Sequence, residues 1–81
     1  MLPFEVLIEK VKKKEPRYGN PYIEHLLGLE KGNLQFEIRR ATQLSKEGKD
    51  SKLLEQLIKY CNYRDLDMAT FFEEPLEEKV S

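Results

Sequence analysis

The chain has 81 residues, 36% of them charged and 40% hydrophobic, with 14 basic against 15 acidic side chains and a net charge of −1. That length fits one domain with a thin core, since chains of this size bury only about 60% of their unfolded surface. The apolar share stands above the range of disordered chains. No run is long enough to span a bilayer, and the lone Cys61 excludes an internal disulfide and a four-cysteine zinc site.

The near-balance of charge argues neither for nor against a nucleic-acid partner. Ten lysines and twelve glutamates dominate the charged set, an enrichment reported for hyperthermophile proteins. The first residues lack the basic-then-apolar order of a signal peptide, so the cytoplasm is the expected location.

A first helix is expected over residues 3–14, with Pro3 in its first turn. Phe4, Leu7, Ile8 and Val11 recur at i, i+3, i+4 and i+7 and so share one face. Lys12, Lys13 and Lys14 close this helix, where cations suit the negative end of the dipole. The stretch Glu15-Pro16-Arg17-Tyr18-Gly19-Asn20-Pro21 reads as a loop, with Asn20-Pro21 opening a second helix. That helix is expected to run to about Lys31 through Gly28, burying Ile23, Leu26 and Leu27.

Residues 29–39 admit two readings. Leu29, Leu34, Phe36 and Ile38 alternate with polar residues around Gly32-Asn33, as in a hairpin over 27–38. Leu34, Ile38, Ala41 and Leu44 instead follow helical spacing among poor strand formers, which favours a third helix from about Asn33 to Glu47. After Gly48-Lys49, Asp50 or Ser51 caps a fourth helix. Its apolar residues Leu53, Leu54, Leu57, Ile58, Tyr60 and Cys61 cover an arc of about 160° at ~100° per residue. This is the expected central helix, with Leu54, Leu57, Ile58 and Cys61 nearly inaccessible.

A fifth helix is expected over 65–74, capped by Asp65 and stopped by Pro75. Leu66, Met68, Ala69, Phe71 and Phe72 leave it apolar over most of its circumference. A helix apolar all round is buried in something, and Phe71 and Phe72, about 100° apart, exceed one narrow core face. Met68, Phe71 and Phe72 therefore form an expected interface. A two-fold homodimer is the commonest arrangement for such a patch. The expected fold is an all-α, compact bundle of four to five short helices in a single domain over 1–74, with an acidic tail over 75–81.

His25 is the sole histidine and has no companion ligand, so it reads as solvent-facing. Cys61, on the apolar face of its helix, reads as a small hydrophobe. No glycine-rich phosphate loop, nucleophile elbow or pair of catalytic carboxylates occurs. No catalytic, cofactor-binding or metal-ligating residue is therefore assigned, and a non-enzyme is expected.

Two patterns raise nucleic acid as the alternative. Lys10, Lys12, Lys13, Lys14 and Arg17, followed by Tyr18 and Tyr22, interleave cations with aromatics, which suits phosphate neutralisation and base stacking. Leu27, Gly28, Gly32, Ile38 and Ala41 resemble the DNA-binding helix-turn-helix, in which a small residue and a turn glycine let two helices cross closely. The resemblance covers residues 24–43. It implies a recognition helix from Asn33 offering Gln35, Arg39, Arg40 and Gln43, with Phe36 and Glu37 exposed. Lys31 and Asn33 depart from the pattern, since that family places apolar residues there. The composition and patterning favour a small protein–protein interaction or regulatory module, with nucleic-acid binding second.

Overall fold

Apolar periodicity of 3.6 runs through every long segment of this chain, and helices are what form. The computed structural model describes residues 1–15 and 19–75, of which 68% are helical, with no strand among them. The hairpin alternative at 27–38 is thereby excluded. In chain order the helices are α1 (Phe4–Lys14), α2 (Asn20–Leu26), α3 (Leu34–Lys46), α4 (Lys52–Tyr63) and α5 (Met68–Glu73). Their principal contacts close a ring: α1 on α3, α3 on α4, α4 on α5 and α5 on α1.

The core draws from all five helices. Phe4, Leu7, Ile8 and Val11 of α1 meet Ile38 and Ala41 of α3, Leu53, Leu57, Tyr60 and Cys61 of α4, and Phe71 of α5 in one apolar cluster. Ile23 and Leu27 seal it from the α2 side. Leu57 and Cys61 are fully buried, as the central-helix reading expects. Leu54 and Ile58 are only half-buried. The arc of α4 is wider than the cleft it fills, so the one margin that carries Leu54 and Ile58 reaches the surface while Tyr60 and Leu53 on the other are buried.

Three helices end alike, and this corrects two boundaries. At α2, Gly28 adopts φ +67° while the Leu29 N–H reaches the Glu24 carbonyl at 2.8 Å. This left-handed closure ends the helix short of Lys31. Gly48, at φ +73°, closes α3 in the same way, with Lys49 N–H on the Leu44 carbonyl. The third case is Asp65, whose φ of +56° and the Leu66 N–H bond to the Cys61 carbonyl make it the stop of α4. Asp65 therefore does not cap α5. Asp67 does, accepting the Thr70 N–H at 3.0 Å and its hydroxyl at 2.7 Å. Those two bonds hold the Asp67 carboxyl below its usual range. Ser51 caps α4 as expected, its Oγ accepting the Leu54 N–H.

Long-range polar contacts fasten the ends. The Lys10 ammonium donates to the carbonyls of Thr70, Phe71 and Glu74 at 3.1, 2.6 and 2.8 Å and lies 5.1 Å from the centre of the Phe71 ring. A lysine of α1 thus adds a donor to the carbonyls at the end of α5, of which that of Thr70 also accepts the Glu74 N–H. Burial lowers the Lys10 pKa, opposed by the nearby Glu74 carboxylate. Glu15, almost entirely buried, pairs with Arg64 at the end of α4.

Candidate interaction face

α3 is amphipathic in the strict sense. Leu34, Ile38 and Ala41 point into the core, while Gln35, Phe36, Arg39, Arg40 and Gln43 stand in solvent. Phe36, Arg40 and Gln43 fall within about 60° of one another at ~100° per residue, with Arg39 on their flank. Phe36 is 57% exposed, the most exposed phenylalanine of the described residues. Neither Arg39 nor Arg40 forms an ion pair among the described residues. Glu37, read from sequence as exposed, is instead buried at the inner edge of the helix. The outer face therefore holds an aromatic ring and two arginines with no acidic side chain before Glu47. Gln43 donates to that glutamate at 3.0 Å.

The turn before α3 holds this face in place. Glu24, buried on α2, accepts the Gly32 N–H at 2.9 Å and the Leu34 N–H at 3.0 Å, one on each carboxylate oxygen. It works as an N-terminal cap delivered from the preceding helix, satisfying donors that α3 cannot satisfy itself. Asn33, just before α3, makes no side-chain cap bond. A cleft of about 270 Å³ opens beside the clamp, lined by Asn20, Pro21, Lys31 and Gln35. Glu24 borders it with both oxygens already engaged.

The helix-turn-helix resemblance fares poorly in geometry. Residues 27–33 separate α2 from α3, longer than the three or four residues of that turn. The basic stretch is also dispersed. Lys10 is turned inward onto α5, Lys12 pairs with Glu9 at 3.5 Å, and only Lys13 and Lys14 stand free at the surface. Arg17 and Tyr18 lie outside the described residues. Arg39 and Arg40 occupy a different element from these lysines.

The expected α5 interface is partly absorbed by the chain itself. Phe71 is 2% exposed; it meets Phe72 edge-on, with ring centres 5.2 Å apart, and the tilted Tyr60 ring at 6.3 Å. The helix wedged between α1 and α4 encloses Phe71 and covers Phe72 only in part. Phe72 is half-buried and Met68 is 42% exposed. Asp65 and Asp67 precede Met68 in the exposed turn leading into α5. His25 is exposed and Cys61 is buried, its thiol pushed up by burial. Among the described residues no group of three His, Cys, Asp or Glu is placed to hold a metal ion, and no helix is long and apolar enough to cross a membrane.

No family model, curated protein or solved structure matches this chain.

Proposed function

We propose that this protein is a small non-enzymatic protein–protein interaction module that self-associates and offers the outer face of α3 to its partner. The observation that carries the reading is the exposed Phe36 ring beside Arg39 and Arg40, which form no ion pair among the described residues. Aromatic residues and arginine are enriched at interfaces, where lysine and glutamate are depleted. In a chain whose surface is built from lysine and glutamate, this face has the composition of an interface. Its backing is rigid, because the residues beneath it are core and the Glu24 clamp fixes its start. The cytoplasm suits a chain with one reduced, buried cysteine.

Nucleic-acid binding is the second reading. An exposed aromatic next to two arginines is also the chemistry of a stacking platform. The two are separated by equilibrium sedimentation of the wild type, alongside oligonucleotide titrations at low and high salt. Mass above the monomer, without salt-dependent oligonucleotide binding, supports the interaction module. A monomer that binds oligonucleotide, with affinity falling steeply as salt rises, overturns it.

A further inference from the structure

Two exposed faces of this chain are opposite in charge and alike in carrying a large apolar residue. One is the α3 face, with Phe36 between the cations Arg39 and Arg40. The other is the start of α5, where the exposed Met68 directly follows the exposed acidic pair Asp65 and Asp67. At the far end of α5 the charge is already balanced, since Glu73 pairs with the Met1 ammonium at 3.1 Å and Lys10 donates to the Glu74 carbonyl. The acidic face is therefore that of Asp65 and Asp67 at its start. Arg64, the nearest cation in sequence, is turned to Glu15. On α3 the only acidic residue before Glu47 is the buried Glu37. We infer that the chain assembles head to tail with copies of itself, the Phe36–Arg39–Arg40 face of α3 seating on the Asp65–Asp67–Met68 face of the next copy. The inference rests on the proposal that α3 is an interaction face and supplies its partner.

The ring of helix contacts determines the mode. α3 and α5 each pack on α1 and α4, so they sit at alternate positions in the ring of principal contacts. A two-fold dimer needs one surface patch that pairs with itself. Two different, complementary faces carried on helices that are not principal neighbours give a heterologous contact, which repeats from copy to copy as a ring or an open chain. The apolar residues supply anchors that lose water on contact, while the charges set orientation and exclude the like-charged pairings α3 on α3 and α5 on α5. Assembly of this kind weakens as salt screens the exposed charges.

Each face is removable without touching the core. Phe36→Glu places a carboxylate on α3 that would face Asp65 and Asp67, and Met68→Glu removes the apolar anchor from the acidic face. Circular dichroism verifies that each variant is folded. Arg40→Glu and Met68→Ala serve as the second pair should either of the first fail to fold. Sedimentation velocity is then run on the wild type, on each variant, and on an equimolar mixture of the two. The wild type is expected to grow in mass with concentration and to lose mass in high salt. Each variant alone should associate at least about tenfold more weakly, the change that loss of one well-packed contact residue produces.

The mixture is decisive. The α3 face of the Met68→Glu chain and the α5 face of the Phe36→Glu chain are both intact, so one contact remains and a discrete heterodimer forms that grows no further. A wild type that assembles together with a mixture that stays monomeric overturns the head-to-tail contact but not the interaction reading. So does a Met68→Glu variant that assembles like the wild type. A wild type that remains monomeric at every concentration overturns both.

Discussion

The Glu24 carboxylate accepts the Leu34 N–H at 3.0 Å, tying the body of α2 to the first residue of α3 across the intervening turn. Its other oxygen takes the Gly32 N–H. Removing the carboxylate strands two backbone donors, one of them buried. Glu24→Ala is expected to lower stability by about 1–3 kcal/mol, the cost of leaving such groups unsatisfied. Gln, with one carbonyl oxygen, keeps one of the two bonds and should fall between. Urea denaturation of the three proteins orders them, and equal stabilities would show that the clamp holds nothing.

Lys10 has the corresponding role for α5. Its ammonium donates to three carbonyls at the end of that helix, which at six residues cannot hold itself together. Lys10→Met keeps most of the stem against the Phe71 ring and removes only the donor. A loss of about 1–3 kcal/mol is expected, with backbone amides of α5 exchanging faster while those of α4 are little changed. Unchanged exchange in α5 would mean that Phe71 alone anchors it.

Much of this architecture was legible along the chain, and what was not has one physical cause. α1, α3 and α4 follow from apolar spacing, and Ser51 is a local cap, because their determinants lie within a few residues. Phe36 could be placed on the outer side of α3 for the same reason. Glu24, Glu15 and Lys10 could not be read as structural, since their partners lie 8 to 64 residues away. Lys10 counted from sequence as part of a basic patch and in the fold is spent on α5. From sequence, Phe71 and Phe72 exceed one narrow core face, and in the fold Phe72 is only half-buried. Which of the two rings is enclosed was not legible, because it depends on α1 and α4 packing on either side of α5, and the one they enclose is Phe71.

Asp65 stops α4 at φ +56°, a conformation that glycine adopts without steric cost. Asp65→Gly is expected to raise the stability of the folded chain by up to about 1 kcal/mol, less the added freedom of the unfolded state. The same change removes one carboxylate from the acidic face, so association should weaken while thermal stability rises. The two properties moving together would contradict the separate roles assigned to this residue.

Cys61 is fully enclosed between α4 and its neighbours, and burial holds its thiol in the neutral form. A thiol reagent should therefore label the native protein only as fast as it opens, and promptly in denaturant. An acid whose pKa is raised by folding is more readily ionised when unfolded. The stability it contributes is thus complete below the unfolded thiol pKa and declines as pH rises past it. Prompt labelling of the native protein at neutral pH would place Cys61 at the surface.

The claim that joins fold to function is that α3 and the start of α5 are the two contacting faces. The most direct test follows backbone amide chemical shifts in the isotopically labelled wild type as its concentration is raised from dilute to millimolar. Shifts are expected to move together over Gln35–Gln43 and over Asp65–Phe72, and to return when salt is added. Shifts that stay constant, or that move on α1 around Lys13 and Lys14 instead, would contradict it.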